Sequence, residues 1–245
     1  MKLIENLPYA ARENACFDLF LPESETFDLL IWFHGGGLEN GTRKSIHFAQ
    51  DLTEHGLAVA SVEYRMYPDA KFPDYLEDSA EAVKYIADHV SAYGTVRKLL
   101  ISGQSAGAYI TLMLAFDEHY LADAGMDRSR IAAYISDSAQ ITSHFRVLKE
   151  RGVDSRLERI DDAAPIFHLS DRSSFGHLLL IAYTQDMPCR LEQNQLFLKS
   201  IQRLCPDQHT ELVVLEGKHV NGSVHRNEKG SFDYNDVLLA FLKTL

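Results

Sequence analysis

The sequence is poor in cysteine and contains no long apolar run. Its 245 residues include three cysteines, Cys16, Cys189 and Cys205, and their odd number and wide spacing exclude a disulfide framework and a paired-cysteine zinc site. The most apolar stretch, Leu29 to Phe33, is far shorter than the roughly 20 residues that a membrane-spanning helix needs. The segment Met1 to Asn14 lacks the apolar core of a secretion signal. We therefore expect a soluble protein in a reducing compartment, the cytoplasm, without a membrane partner.

Positive charge is also scarce. Lys and Arg together number 24 against 35 Asp and Glu, so the formal net charge at pH 7 is -11. This negative field repels phosphate backbones and anionic membrane surfaces, and we expect no nucleic-acid partner. Apolar residues make up 46% of the chain and charged residues 24%. Because this is the composition of an ordinary globular protein, we expect residues 1–245 to form a single domain.

Short apolar runs alternate with longer segments of helical period, which predicts an α/β fold with a mainly parallel sheet. In several runs both alternating sets of residues are apolar, as in Leu178 to Ile181, which is typical of strands covered by helices on both faces. The predicted strands are Cys16–Leu21, Leu29–His34, Leu57–Glu63, Lys98–Gly103, Ile131–Ile135, His177–Thr184 and Glu211–Gly217. The predicted helices are Leu76–Val90, Ala108–Leu114, Leu191–Ile201 and Asp233–Phe241.

A nucleophile motif follows the strand that ends at Gly103. The pattern Gly-x-Ser-x-Gly spans Gly103 to Gly107 and opens the next helix. A serine in this context sits on a sharp turn between strand and helix, and its neighbours must be small to let the two backbones approach. Gly103, Ala106 and Gly107 meet that requirement. Because pattern and context agree, Ser105 is the predicted nucleophile, in preference to a plain strand-turn-helix.

Three successive glycines, which end at Gly37, follow His34 at the carboxyl end of another buried strand. Parallel sheets bind their ligands at this end, and glycines leave backbone N–H groups free to stabilise the oxyanion of acyl transfer. We assign the N–H groups of Gly36, Gly37 and Ala106 to an oxyanion hole. A flexible glycine turn and a phosphate-binding loop are the alternatives. The glycine and lysine spacing of a phosphate-binding loop is absent, and the serine motif disfavours both. His34 precedes the nucleophile, and we interpret it as a brace for this loop.

In folds with this sharp nucleophile turn, the chain order is serine, acid, histidine. We therefore expect the acid and base partners of Ser105 after it in the chain, at the ends of strands. Asp186 lies just past the strand His177–Thr184 and is the predicted acid. His219 lies just past the strand Glu211–Gly217 and is the predicted base.

Three other residues fit these roles less well. His209 precedes its strand and therefore faces the wrong end of the sheet. His225 lies further into the loop and is a second choice for the base. Asp137 follows the strand that ends at Ile135, and we interpret it as a pocket or loop-bracing residue.

Together these residues resemble the α/β-hydrolase superfamily, in particular its hormone-sensitive-lipase-like and carboxylesterase-like group, which includes small esterases and kynurenine-formamidase-like enzymes. The segment Glu63–Pro68, continuing to Phe72-Pro73 and Glu77-Asp78, is similar to the Tyr-Arg and Phe-Pro signature of that group. We interpret it as structural, with Arg65 fixing loops by paired hydrogen bonds. The run Asp186–Arg190 is similar to the group's acid loop. The resemblance implies an α/β-hydrolase fold with a mainly parallel central sheet, helices on both faces and little or no N-terminal cap.

The predicted chemistry is hydrolysis of a small-molecule carboxylic ester with a short acyl chain, through an acyl-enzyme on Ser105. We expect no cofactor and no metal, because His-Glu-x-x-His and paired-cysteine patterns are absent. Amide hydrolysis, such as cleavage of an N-formyl aromatic amine, uses the same triad and is an alternative. A non-catalytic binding protein is a second alternative, disfavoured because all three triad candidates are present.

The segment between the strands ending at Ile135 and beginning at His177 admits two interpretations. Residues 140–174 form either a small lid over the site or a pair of ordinary packing helices. The apolar residues that would serve either purpose are Phe145, Val147, Leu148, Ile166 and Phe167.

Overall fold

The computed structural model describes residues 1–245 and contains one eight-stranded sheet. Its strands are β1 (Lys2–Pro8), β2 (Cys16–Leu21), β3 (Thr26–Phe33), β4 (Leu57–Val62), β5 (Thr95–Gln104), β6 (Ile131–Asp137), β7 (His177–Gln185) and β8 (His209–Lys218). They lie in the order β1-β2-β4-β3-β5-β6-β7-β8. The strands from β3 to β8 run parallel, whereas β1 and β2 are antiparallel to their neighbours. The predicted mainly parallel sheet is confirmed.

Helices cover both faces of this sheet. They are α1 (Ala49–Glu54), α2 (Asp74–His89), α3 (Ala106–Phe116), α4 (Glu118–Asp123), α5 (Phe145–Glu150), α6 (Arg190–Leu204), α7 (Asn221–Val224) and α8 (Asp233–Leu242). On β3, Leu29 and Ile31 pack in the core that includes α2, α3 and α6, while Leu30 and Trp32 pack in the core that includes α1 and α8. All four side chains are fully buried, as their uninterrupted apolar run predicts.

All the predicted elements are present, and the structure adds the edge strand β1 and the short helices α1, α4, α5 and α7. The seven predicted strands correspond to β2 through β8, and the four predicted helices to α2, α3, α6 and α8. The sequence pattern does not predict β1, because five of the seven residues of this edge strand are exposed and they carry no apolar alternation. Within residues 1–245 no helical cap precedes the sheet. The longest helix, α2, has 16 residues, and no helix has both the length and the apolar character needed to span a bilayer.

The topology places the chemistry-bearing residues along one edge of the sheet. The carboxyl ends of β3, β5, β6, β7 and β8 meet there because these strands are parallel. The residues that follow these five ends are His34, Ser105, Ser138, Asp186 and His219.

Candidate active site

Ser105 lies in the turn between β5 and α3, with its backbone in the left-handed region at a φ of 54°. A Cβ added to Gly103 would lie 2.2 Å from the backbone of Gly107, and one added to Gly107 would lie 2.0 Å from the carbonyl oxygen of Phe33. Strand and helix therefore approach so closely that only glycine fits at either position. The Ser105 N–H donates to the carbonyl of Asp137 at 2.8 Å, which ties the turn to the end of β6.

His219 and Asp186 converge on Ser105 from the ends of β8 and β7. His219 Nε2 lies 2.8 Å from Ser105 Oγ, and His219 Nδ1 lies 2.5 Å from Asp186 Oδ1. A proton on Nδ1 is donated to the carboxylate, which leaves the lone pair of Nε2 facing the serine hydroxyl. The structure brings the three predicted residues into one hydrogen-bonded chain.

The environment of Asp186 keeps it ionised. Its side chain is 1% exposed, whereas that of His219 is 24% exposed. Burial acts to raise the pKa of Asp186, but hydrogen bonds from His219 and Ser138 outweigh it and hold the pKa below its ordinary value. The carboxylate is therefore available to orient the imidazole and to stabilise its charged form.

Two residues of this cluster, Ser138 and Arg190, are not predicted from the sequence. Ser138 directly follows β6, and its Oγ lies 2.5 Å from Asp186 Oδ2 and 2.8 Å from His219 Nδ1. Arg190 is buried and donates from one guanidinium nitrogen to the Ser138 carbonyl at 2.9 Å. Burial lowers its pKa to about 10. The signal that locates Asp186, a polar residue just past the end of a strand, also fits Ser138.

Asp137 supports the site from beneath. It accepts hydrogen bonds from the Tyr183 hydroxyl at 2.9 Å and from the Ser223 hydroxyl at 2.5 Å. Burial raises its pKa to about 6, against the lowering effect of these two bonds. Asp137 makes no hydrogen bond with His219, and its partners join the ends of β6 and β7 to α7. This arrangement agrees with its interpretation as a bracing residue.

The glycine loop after β3 leaves backbone donors free. Gly36 and Gly37 have φ values of 118° and 69°, and a Cβ on Gly36 would lie 1.8 Å from the carbonyl oxygen of Asn40. The N–H groups of Gly36 and Gly37 donate to no backbone acceptor. Ala106 is the first residue of α3, where an N–H has no partner within the helix, and it too bonds to no backbone acceptor. Unpaired N–H groups thus flank Ser105.

His34 braces this loop, as interpreted from the sequence. Its Nε2 lies 3.0 Å from Glu63 Oε1 and its Nδ1 lies 2.8 Å from the Gly35 carbonyl oxygen. Its ring stacks on Tyr64, with 4.4 Å between the centroids, and the Tyr64 hydroxyl donates to the His34 carbonyl at 2.8 Å. Glu63 is bonded in turn to Arg43, so the loop is anchored to the end of β4.

The Tyr-Arg segment is also structural. Arg65 donates from Nε and from a terminal nitrogen to the two carboxylate oxygens of Asp78, each at 2.8 Å. Its backbone N–H adds a third bond to the same carboxylate at 3.0 Å. This paired geometry fixes the loop after β4 to α2 and agrees with the interpretation from the sequence.

The other two histidines considered for the base, His209 and His225, make no hydrogen bond with Ser105 or Asp186. His209 begins β8 at the opposite end of the sheet and bonds to Glu211. His225 follows α7 and is exposed.

A cleft of about 480 Å³ lies over Ser105. The glycine loop and His219 form part of its wall, and the apolar side chains that line it are Phe145, Met187 and Val220. Phe145 belongs to the segment 140–174, which contains α5 and one short 3₁₀ turn. Val147 and Leu148 of α5 are fully buried. The segment therefore contributes both to the core and to one side of the cleft.

The chain is similar to plant esterases along part of their length. It is 30% identical over 127 residues to probable carboxylesterase 1 of Arabidopsis thaliana, covering 44% of this chain and 40% of that protein. It is 24% identical over 240 residues to probable isoprenylcysteine alpha-carbonyl methylesterase ICMEL2 of the same organism, covering 87% of this chain and 56% of that protein. The chain thus spans about half the length of these relatives.

The fold is shared with a solved bacterial esterase. Esterase B of Lactobacillus rhamnosis, inhibited by a tributyrin phosphonate, superposes with a TM-score of 0.82 at 18% identity, covering 99% of this chain and 85% of that one. This likeness confirms the predicted α/β-hydrolase fold. A profile of the BD-FAE family matches residues 17–146, more than half of the 245 residues. The chain therefore belongs to the BD-FAE family, within the carboxylesterase-like group of α/β-hydrolases that its motifs predict.

Proposed function

We propose that this protein is a serine hydrolase that cleaves carboxylic esters with small or short acyl groups. The observation that carries the proposal is the unbroken hydrogen-bonded chain from Ser105 Oγ through His219 to Asp186, with links of 2.8 and 2.5 Å. The 2.8 Å link lies within the range in which a base can take the proton of a nucleophile, and the 2.5 Å link joins that base to the carboxylate that orients it. The similarity to proteins named as esterases supports the same activity.

In the proposed acylation step, Ser105 Oγ attacks the ester carbonyl carbon while its proton passes to His219 Nε2. The resulting imidazolium keeps its Nδ1–H on the Asp186 carboxylate, which stabilises the new positive charge. Collapse of the tetrahedral intermediate breaks the bond to the leaving alkoxide, which receives the proton from Nε2. Water then repeats the sequence on the acyl-enzyme and releases the acid.

The oxyanion of each tetrahedral intermediate would be bound by the N–H groups of Gly36, Gly37 and Ala106. They are free of backbone acceptors in the protein, so they need no rearrangement to donate to a developing charge. Each such donor is worth about 2.7–4 kcal/mol of transition-state stabilisation in comparable hydrolases.

The cleft supports a preference for short acyl groups. Phe145 and Met187 line the cleft of about 480 Å³ beside Ser105, and their bulk limits the room for a long acyl chain on that side. The related esterase B was solved with a tributyrin phosphonate, a compound with four-carbon acyl groups. Glu39 at the rim pairs with Arg146, so the rim carries no uncompensated charge to bind an ionic acyl group.

Hydrolysis of a p-nitrophenyl ester series, from acetate to long acyl chains, tests the proposal, with Ser105→Ala in parallel. We expect turnover that is fastest for short chains and lost in the variant, together with fluorophosphonate labelling that Ser105→Ala removes. Labelling of Ser105→Ala at full stoichiometry would exclude this serine. Turnover of an N-formyl arylamine without ester turnover would assign the same triad to amide hydrolysis.

A further inference from the structure

Ser138 touches both triad partners of Ser105, and nothing in the predicted site accounts for it. We propose that Ser138 is a positioning residue of the triad, whose hydroxyl fixes the Asp186 carboxylate and the His219 ring in one plane of hydrogen bonds. This inference rests on the proposed function, since it concerns the same triad.

The geometry assigns a donor and an acceptor role to the one hydroxyl. Asp186 Oδ1 already accepts from His219 Nδ1–H at 2.5 Å and from the Met187 N–H at 2.7 Å. The remaining oxygen, Oδ2, has Ser138 Oγ as its one hydrogen-bond partner, at 2.5 Å. The Ser138 O–H therefore donates to Oδ2. Its oxygen lone pair then faces His219 Nδ1 at 2.8 Å and accepts a share of the same N–H.

The backbone of Ser138 is held for this purpose. Its φ is 65°, a left-handed conformation that residues other than glycine adopt rarely and that persists only where the surroundings impose it. The Ser138 N–H donates to the Ile181 carbonyl at 2.8 Å, and its carbonyl accepts from Arg190 at 2.9 Å. These two buried hydrogen bonds hold the Ser138 hydroxyl between Asp186 and His219. The buried Arg190 guanidinium thus helps to position Ser138.

During the proposed reaction, Ser138 helps to fix the direction of the His219 Nδ1–H bond. When His219 takes the proton of Ser105 at Nε2, the ring becomes positively charged. Its Nδ1–H then donates to two acceptors, Asp186 Oδ1 and Ser138 Oγ, and both stabilise that charge. Ser138 keeps its own proton throughout and exchanges none with substrate. Without it, Asp186 Oδ2 is a buried carboxylate oxygen lacking a donor, and the His219 ring is oriented by its bond to Asp186 Oδ1 alone.

The test compares Ser138→Ala with Ser138→Gly and uses Ser136→Ala as the matched control. Ser136 lies on β6, two residues before Ser138, and its buried hydroxyl has no hydrogen-bond partner, so its removal should leave kcat unchanged. We expect both Ser138 variants to lose roughly 10- to 100-fold in kcat, as for a lost bond to a charged group, with KM within about twofold of the native value. Since glycine relieves the strained φ and alanine does not, equal losses assign the effect to the hydroxyl.

A double-mutant cycle tests whether Ser138 acts through Asp186. In an Asp186→Ala background, removal of the Ser138 hydroxyl should cost less than about twofold in kcat, because its partner is already gone. A full 10-fold loss in that background, or native kcat in Ser138→Ala, would overturn the proposal.

A second measurement separates this proposal from the proposed function. The low-field proton resonance of His219 Nδ1–H is recorded on the free protein, where no substrate or turnover is needed, and His219→Ala identifies it. We expect it to be sharp in the native protein and in Ser136→Ala, and shifted or broadened in Ser138→Ala. An unchanged resonance in Ser138→Ala refutes the positioning role whether or not the protein hydrolyses esters. A changed resonance in a protein that turns over no ester supports the positioning role and refutes the proposed reaction alone.

Discussion

The contact between α3 and β3 at Gly107 gives the most demanding prediction. A Cβ at this position would lie 2.0 Å from the Phe33 carbonyl oxygen, 2.5 Å from the Phe33 carbonyl carbon and 2.7 Å from the His34 carbonyl oxygen. All three atoms are backbone atoms, and Phe33 pairs with both neighbouring strands. Relief of the clash therefore requires the start of α3 to move away from the sheet by about 1 Å or more, since real Cβ atoms essentially never approach within 3.0 Å of such atoms.

Both stability and activity should respond to Gly107→Ala. Forcing one methyl group into a closely packed interior costs about 1–3 kcal/mol, and we expect a value near 3 because no side chain can yield. For a protein of this size that lowers Tm by roughly 6–12 °C. The displacement carries Ser105 away from His219, and a shift of about 1 Å in a reacting group can cost on the order of 100-fold in rate.

Gly56→Ala is the control for this experiment. Gly56 has a positive φ of 80° but no atom within 4 Å of an added Cβ, so its substitution carries only the left-handed backbone penalty of about 1–2 kcal/mol. Urea unfolding and the ester assay are run on both variants. If Gly107→Ala unfolds at the same urea midpoint as Gly56→Ala and keeps native kcat, the close approach of α3 to β3 does not require glycine at position 107.

Three further predictions concern separate parts of the molecule. The pKa of Asp137 is raised to about 6 from about 3.9 in an unfolded chain, so the folded state binds the extra proton between these values. The contribution of Asp137 to stability therefore falls by roughly 3 kcal/mol in total, of which about 2 kcal/mol is lost as pH rises from about 4 to about 6. Asp137→Asn should therefore become more favourable relative to the native protein across that window, and a pH-independent difference in urea unfolding would contradict this. Arg65→Lys loses the paired hydrogen bonds to Asp78 and should lower the free energy of unfolding in urea by about 1–2 kcal/mol. Arg97→Lys alters an exposed ion pair and should lower it by under about 0.5 kcal/mol. Equal losses in the two variants would show that the Arg65 pair is no more stabilising than an exposed one. Phe145→Ala widens the cleft and should raise kcat/KM for long relative to short p-nitrophenyl esters by about tenfold, and an unchanged chain-length profile would show that Phe145 does not limit the acyl group.

Much of the fold can be predicted because the central strands are buried on both faces. In β3 and β7 neither alternating set of side chains needs polar residues, so their apolar runs stand out from helices and loops. β1 escapes prediction for the opposite reason: it lies at the edge, and most of its side chains face solvent. Its position depends on pairing with β2, a long-range relation that no local pattern records.

The candidate triad can be predicted because its members sit at the ends of strands. Once β7 and β8 are located, Asp186 and His219 follow from their position in the chain. Ser138 and Arg190 show where this reasoning stops. Ser138 also ends a strand, but its role depends on a left-handed backbone and on a hydroxyl that reaches two residues far away in sequence. Arg190 lies in the first turn of a helix, and nothing in the local sequence indicates that it is buried and bonded to Ser138.

The close contacts of the glycine loop restrict how this protein can change its substrate. Gly36 has no room for a side chain beside Asn40, and Gly37 combines a left-handed backbone with the ring of Phe145 only 3.0 Å from an added Cβ. We therefore expect substitution at these two positions to abolish the proposed activity rather than to alter its selectivity. The apolar lining that can vary consists of Phe145, Met187 and Val220, which follow β6, β7 and β8 respectively. A saturation library at those three positions would change the apolar lining of the cleft and leave the sequence of the glycine loop intact.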